Sequence, residues 1–386
     1  MKLLRKAKKS AFKGKTVLLR IDLNVEPGAP LDSYRLEAVL PTIRFLRARG
    51  ARVVMMSHRG NPEAKSMGQT ANRKALSLRP FTALLLKKLR EKVVFVDDAD
   101  LKEAKRKITA SKESFFLLEN LRFWEGERKN SAQFSKRLAV LGDAYVNDAF
   151  AESHRKVASI TGIPKYLPSY AGLRLEEEVK RLGGVMKKPL HPVTLVVGGA
   201  KIADKVGVIE YFWKRADAVL MGGGPANTFF AAEGVPMGDS LVDVSAFPFV
   251  KEYRDKGKIM LPVDSEVHAA KGSERILDIG EVTARWFGDI VEDSKTVIWN
   301  GPMGFFEKKG FEKGTIAVWK AILALAKKNP RARIVVGGGE TIASLQLLKA
   351  NNYKLKTSNL FLSTGGGAML EFLSGEKLPG IEALKR

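Results

Sequence analysis

Val193-Thr-Leu-Val-Val-Gly-Gly-Ala-Lys-Ile-Ala-Asp-Lys205, at the middle of the chain, decides how the rest is read. Its β-branched start (Val193, Thr194, Val196, Val197) predicts a buried strand. Gly198-Gly199 ends that strand and permits a tight turn. A helical pattern begins at once and places Lys201 and Lys205, four residues apart, on one face of its first turns. A helix N-terminus already carries partial positive charge, so two added cations call for an anion with several negative charges, such as a polyphosphate. The plain alternative is a strand-to-helix turn with two solvated lysines.

Outward from this stretch the same alternation repeats. Strand-like apolar runs at 16–22, 51–56, 93–96, 114–118 and 144–146 precede it. Others follow at 218–221, 259–263, 295–299, 333–336 and 360–362, with amphipathic helical stretches between them. This βαβα pattern predicts parallel sheets with helices on both faces. The 386 residues suffice for two cores. The expected architecture is therefore α/β, with two doubly wound parallel-sheet domains covering 1–171 and 191–377. Residues 172–190 are the expected connector: a helix over 173–182, then Gly183-Gly184, then Pro189 and Pro192 as hinge ends.

The bulk numbers exclude several classes. There is no cysteine, hence no disulfide, thiolate metal site or thiol nucleophile, which is compatible with a reducing, cytoplasmic setting. Residues 1–15 are basic without an apolar core, so they do not read as a secretory signal. No apolar run approaches the ~18 residues that a bilayer needs. The formal charge of +24 points to acidic partners, but the basic residues are dispersed (Lys87-Lys88, Lys187-Lys188, Lys308-Lys309), as on a solvated surface. A nucleic-acid-binding protein is the rival reading from another class, although no RNA- or DNA-binding signature is present.

In open α/β sheets ligands bind beyond the carboxyl ends of the strands. In the first half those ends read Arg20-Ile-Asp22-Leu-Asn24, Ser57-His58-Arg59-Gly60-Asn61, Glu119-Asn120-Leu-Arg122 and Asn147-Asp148, running on to His154-Arg155. With Arg35 they bring five arginines and two of the four histidines to strand ends. Guanidinium groups suit phosphate and carboxylate oxygens, so these positions predict a site for a small anionic molecule. Each arginine could instead form a structural pair with Asp22, Glu119 or Asp148. In the second half the strand ends are glycine-rich: Gly198-Gly199, Gly222-Gly223-Gly224, Asn300-Gly301-Pro-Met-Gly304, Gly337-Gly338-Gly339-Glu340-Thr341 and Gly365-Gly366-Gly367. Such turns expose backbone N–H groups and let a phosphorylated ligand come close, which predicts a nucleotide site. Glu307 or Glu340 could meet a ribose or a metal; each could also be a helix-start acid.

What is missing narrows the chemistry. Gly14-Lys15-Thr16 is not a phosphate-binding P-loop, because Lys9 stands where its first glycine belongs. No dinucleotide fingerprint, nucleophile elbow or zinc-protease motif occurs. Without a plausible nucleophile, transfer with no covalent enzyme intermediate is the natural mechanism.

These blocks resemble phosphoglycerate kinases from near the start of the chain to its end. They are Val17-Leu-Leu-Arg-Ile-Asp-Leu-Asn-Val25, Tyr34-Arg35, Ser57-His58, Leu118-Glu-Asn-Leu-Arg-Phe123, Tyr145-Val-Asn-Asp-Ala-Phe150 with His154-Arg155, and Gly198-Gly-Ala-Lys-Ile-Ala-Asp-Lys205. Gly222-Gly-Gly-Pro-Ala-Asn-Thr-Phe229, Trp299-Asn-Gly-Pro-Met-Gly304 with Phe306-Glu307, and Ser363-Thr-Gly-Gly-Gly-Ala368 complete the set. The resemblance implies two Rossmann-like domains and exchange of 1,3-bisphosphoglycerate and ADP for 3-phosphoglycerate and ATP. It also implies Mg²⁺ with the nucleotide, a monomer, and a tail over 378–386 returning to the N-terminal domain. By matching positions it implies a triose site of Asp22, Asn24, Arg35, His58, Arg122 and Arg155, with Arg59 and Asn61 in the loop after His58. The nucleotide site it implies is Lys201, Lys205, Gly222, Gly223, Gly224, Asn300, Glu307 at the ribose, Gly338, Gly339, Glu340 and Thr341. Arg35 and Lys205 would meet the phosphoryl group in flight. Two positions depart from the pattern. The family's Ser-His-Leu-Gly-Arg-Pro is Ser57-His-Arg-Gly-Asn-Pro62 here, so Arg59 is the candidate substitute for an arginine replaced by Asn61. The family's metal-binding aspartate is Glu340, one methylene longer. A weakened homologue that only binds nucleotide is the alternative these departures raise. The stretch 60–74 is also unusually basic and polar for that loop.

Overall fold

The computed structural model describes residues 1–25, 33–62, 69–98, 100–270, 273–348 and 357–385. Part of the basic stretch 60–74 (63–68) and the last residue of the expected tail, Arg386, lie outside them. The chain divides into two compact units, Met1–Val179 with Lys377–Arg386, and Lys180–Glu376.

In the first unit the apolar runs become β1 (Thr16–Arg20), β2 (Arg52–Met56), β3 (Val93–Val96), β4 (Phe115–Leu118) and β5 (Ala144–Asn147), with β6 (Ser169–Ala171) added. They form one sheet in the order β3-β4-β2-β1-β5-β6, and every pairing is parallel. Val17, Leu18, Leu19, Val53, Val54 and Met55 are all buried, as expected of strands covered on both faces. Helix Tyr34–Ala48 buries Leu36, Leu40, Ile43 and Leu46 along one stripe. Each such side chain stabilises the fold by about 1.5–3 kcal/mol on burial. β6 was not legible because it is three residues long without a β-branched one; its outer edge pairs with Leu3. The C-terminal stretch packs here as well: Lys2 N–H donates to the Leu384 carbonyl (3.2 Å) and Gly380 N–H to the Ser153 carbonyl (2.7 Å).

In the second unit β7 (Val193–Val197), β8 (Ala218–Met221), β9 (Ile259–Met260), β12 (Thr296–Asn300), β13 (Arg333–Gly337) and β14 (Leu360–Leu362) pair in parallel in the order β14-β13-β12-β7-β8-β9. β10 (Ser265–Ala270) and β11 (Ser273–Ile279) form a separate antiparallel pair that the purely parallel reading did not foresee. Charged and polar residues (Glu266, His268, Glu274, Arg275, Asp278) interrupt its apolar ones, so it carries no continuous apolar run. β9 ends at Met260 rather than 263, because Pro262 cannot donate to a ladder. Trp299 and Trp319 fill the core edge-to-face at 4.7 Å.

Two local expectations need correction. Helix Leu173–Lys187 runs through Gly183-Gly184 instead of stopping at 182. Leu182, Val185 and Met186 are buried and hold the turn, and the Arg333 guanidinium donates to the Gly184 and Lys188 carbonyls at its end. The helix after β7 begins at Ala203, so Lys201 precedes it and only Lys205 lies in its first turn.

Candidate active site

Because the first sheet is parallel, the carboxyl ends of β4, β2, β1 and β5 stand side by side on one edge. Ladder-like bonds carry the register into the loops: Ile21 N–H to the Met56 carbonyl, Leu121 N–H to Ser57, and Asp148 N–H to Arg20. Leu23 N–H donates to Ser57 Oγ at 2.9 Å and locks the β1 and β2 loops together. Asp22 is buried and accepts from the Arg35 guanidinium and from Asn24 N–H (3.0 Å). The Asn24 side-chain carbonyl accepts from Gly60 N–H at 2.8 Å.

His58 is 1% exposed. Arg20 Nη2 donates to its Nδ1 at 3.0 Å, which leaves the ring proton on Nε2. Burial, with the guanidinium charges of Arg20, Arg122, Arg155 and Arg35, holds its pKa well below the usual histidine range, so the ring is neutral. Nε2 lies 3.3 Å from Glu152 Oε1 without hydrogen-bond geometry and has no hydrogen-bond partner, an unmatched buried donor on the site edge. Arg122 donates to the Gly60 carbonyl (2.7 Å) and to Glu152 (3.3 Å), and Arg155 Nε lies 3.4 Å from the same carboxylate. The structure therefore brings Asp22, Asn24, Arg35, His58, Arg122 and Arg155 to one edge.

Arg59 has contacts on the inner side of its loop. It is 5% exposed, its Nε donates to the Val25 carbonyl (2.7 Å), and its guanidinium lies 5.9 Å from the Phe81 ring. These contacts brace the loop from inside, whereas Asn61 is exposed. The acids proposed as structural partners of the arginines divide: Asp22 pairs with Arg35, whereas Glu119 accepts from the Ser77 hydroxyl and from Leu78 N–H, and Asp148 from the N–H groups of Arg174 and Leu175. Glu152 was missed. It lies between two quoted motif residues, but only the fold shows that it meets two of the site's arginines, Arg122 and Arg155.

Behind this edge Arg20 Nε donates to Ser159 Oγ (3.0 Å), and Ser159 donates through Oγ and N–H to Glu127 (2.5 and 2.9 Å). Burial pushes the Glu127 carboxyl up, against the pull of Arg20.

The second unit builds its edge differently. Gly199 N–H donates to the Pro302 carbonyl (2.7 Å), Gly224 N–H to Gly199 (2.8 Å) and Gly198 N–H to Asn300 (3.0 Å). A Cβ on Gly224 would lie 2.0 Å from the Ala200 carbonyl oxygen, and one on Gly198 2.1 Å from that of Pro302. Many of these glycines thus serve loop-on-loop packing, and their N–H groups are spent inside the protein. This modifies the expectation that the turns present them to a ligand. Thr341 is likewise buried, its hydroxyl accepting from Gly301 N–H at 2.8 Å, and Asn300 Nδ2 donates to the Gly337 carbonyl at 3.1 Å. Gly222 and Gly224 are buried while Gly223 is partly open; Lys201, Glu307, Gly339 and Glu340 are exposed, and Gly338 partly so.

Lys205 is 8% exposed, with its ammonium donating to the Lys201 carbonyl at 2.7 Å. Burial lowers its pKa, while Asp204, Glu340 and Asp243 pull it back up. Asp243, also missed, accepts from Ala203 N–H at 3.1 Å and so satisfies an orphan donor of the helix that carries Lys205. Among the described residues no group of three or more His, Asp or Glu forms a metal cage.

The phosphoglycerate kinase family model matches residues 7–376. Phosphoglycerate kinase of Clostridium botulinum is 38% identical over 96% of this chain and 96% of its own length. That of Chloroflexus aggregans is 40% identical over the same shares. The crystal structure of phosphoglycerate kinase from Pyrococcus horikoshii OT3 superposes with a TM-score of 0.84 at 33% identity, covering 100% of this chain and 98% of that one. The structure of phosphoglycerate kinase from Coxiella burnetii gives 0.77 at 32% identity, with 99% and 98% covered. The chain belongs to the phosphoglycerate kinase family.

Proposed function

We propose that the chain transfers a phosphoryl group reversibly between 1,3-bisphosphoglycerate and ADP, giving 3-phosphoglycerate and ATP, directly and in line. The observation that carries this reading is the split character of the two sheet edges within one family: guanidinium and imidazole groups on the first, glycine loops with a buried lysine on the second. A transferring phosphoryl group asks for little covalent chemistry; it needs positioning and cations on its equatorial oxygens. Arg35, from the first unit, and Lys205, from the second, supply those cations. Asp22, Asn24, His58, Arg122 and Arg155 hold the triose, with the unmatched Nε2–H of His58 as a ready donor. Lys201, Gly222 to Gly224, Asn300, Gly338 and Gly339 hold the nucleotide, with Glu307 at its ribose.

Glu340 is the residue to meet Mg²⁺. Its exposed carboxylate stands close enough to Lys205 to affect its charge, and one carboxylate plus substrate phosphates is a normal Mg²⁺ environment. When bound, the ion neutralises charge on the nucleotide phosphates. The triose is assigned to the first unit and the nucleotide to the second, and water must be kept from the transferring group. The enzyme acts as a cytoplasmic monomer, and its basic surface is a solvated one without a nucleic-acid partner.

A coupled assay with 3-phosphoglycerate and MgATP tests the reading. Turnover is expected. Lys205→Ala and Arg35→Ala should each lower kcat by at least ~100-fold, the usual scale for losing one charge-stabilising group. Near-normal turnover in either variant removes that residue's role. ADP binding without turnover in the unaltered chain removes the kinase reading.

A further inference from the structure

The cations of the first unit are not waiting uncompensated. Arg35 is paired with Asp22, and Arg20 is turned inward to Ser159 and His58. Arg122, Arg155 and His58 converge on one carboxylate, Glu152, at 3.3, 3.4 and 3.3 Å. Glu152 ends the short 3-10 helix Phe150–Glu152 directly after the β5 edge, where buried Ala149 and Phe150 anchor the backbone. It is 6% exposed. A carboxylate taken out of water to this degree persists only because cations surround it. Burial pushes it toward its neutral form, and Arg20, Arg122 and Arg155 pull it back. The only carboxylate within ion-pair distance of Arg122 and Arg155, among the described residues, is therefore an oxyanion of the protein itself. It occupies the electrostatic position that a substrate oxyanion would take.

Resting on the functional reading above, we infer that Glu152 is a positioning and affinity-setting residue, an internal counter-anion that holds Arg122 and Arg155 in place and competes with the incoming substrate anion. The competition follows from charge count. Even with every carboxyl ionised, four guanidinium groups (Arg20, Arg35, Arg122 and Arg155) face three acids, Asp22 and Glu152 on the edge and Glu127 behind it, so cations are in excess. A phosphorylated carboxylic acid brings more than one negative charge. It must share guanidinium donors with Glu152 or displace it. The arrangement sacrifices affinity and gains an edge whose arginines are already placed before the ligand arrives.

Glu152→Gln keeps the shape and removes the charge. By calorimetry on the nucleotide-free chain, 3-phosphoglycerate is expected to bind about tenfold more tightly to this variant, on the scale of one charge-assisted hydrogen bond. Inorganic sulfate, used as a second probe, should move in the same direction, and ADP affinity should stay within about twofold. Glu152→Asp, which keeps the charge but reaches less far, should fall between the two. Unchanged or weaker anion binding in Glu152→Gln overturns the inference. Should that variant fail to fold, Glu152→Asp decides: binding no tighter than in the unaltered chain overturns it. Tighter sulfate binding in a chain without kinase turnover would uphold the counter-anion and remove the functional reading; normal turnover with unchanged affinities would do the reverse.

Discussion

The two units finish the carboxyl ends of their parallel strands with opposite materials. The first uses side chains: His58, Arg20, Ser159 and Glu127 are bonded in one chain of contacts, and beside it Arg122 and Arg155 meet Glu152. The second uses backbone. Its loops lie so close that Gly198, Gly224 and Gly301 have a carbonyl oxygen within about 2.1 Å of where a Cβ would stand, and they carry one buried cation, Lys205. A side-chain network loses function by degrees when one member changes. A backbone lattice has no spare room, so a single added methyl group should break it.

The sharpest test of that contrast is Gly301→Ala. Gly301 has φ 92°, and its new methyl group would sit 2.1 Å from the Gly198 carbonyl oxygen. Left-handed backbone at about 1–2 kcal/mol and overpacking at about 1–3 predict a loss near 3 kcal/mol for the second unit. Calorimetry should show one unfolding transition dropping by several degrees together with weaker ADP binding. A melt like that of the unaltered chain would break the comparison.

Ser159→Ala comes next. It removes an acceptor from Arg20 and a donor to Glu127, both buried. The expected cost is about 1–3 kcal/mol in the first unit, with 3-phosphoglycerate affinity reduced and ADP affinity unchanged. A change confined to ADP affinity would contradict the assignment of the network.

A further test concerns pH. Asp278 is buried, accepts from Gly314 and Ile279 N–H, and burial pushes its carboxyl up to about 7 from an ordinary 3.8. A carboxyl raised on folding binds more protons in the native state, so stability is full below its unfolded pKa and is lost as pH rises through about 7. Asp148, pushed up to about 6 in the first unit, acts with the same sign. Asp278→Asn should flatten, without abolishing, the fall in melting temperature between about pH 4 and pH 7. An unchanged slope would show that Asp278 stays ionised in the fold.

The contrast also explains what could be read before the structure. Strands buried on both faces leave continuous apolar runs, so β1 to β5 and most of the second sheet were visible; β6 and the β10–β11 pair leave none. Glycine after a strand signals close approach, but does not say whether a ligand or another loop approaches, and here much of the approach is between loops. Cations at strand ends located the first edge. Their partners could not be read, because a carboxylate such as Glu152 or Asp243 is defined by what the fold brings to it. Arg59 shows the converse: its residue type suited the site, yet its direction, toward Val25 and Phe81, is set by packing.

The C-terminal stretch has a consequence for biosynthesis. Leu378 and Leu384 are buried in the first unit, Gly380 fits against Ser153 and Ile160, and Lys2 bonds to the Leu384 carbonyl. Residues 180–376, one uninterrupted segment, leave the ribosome in between. The unit whose first strand is translated earliest is therefore the last to be completed, and its nascent form must wait, lacking its closing piece, while the other unit is made.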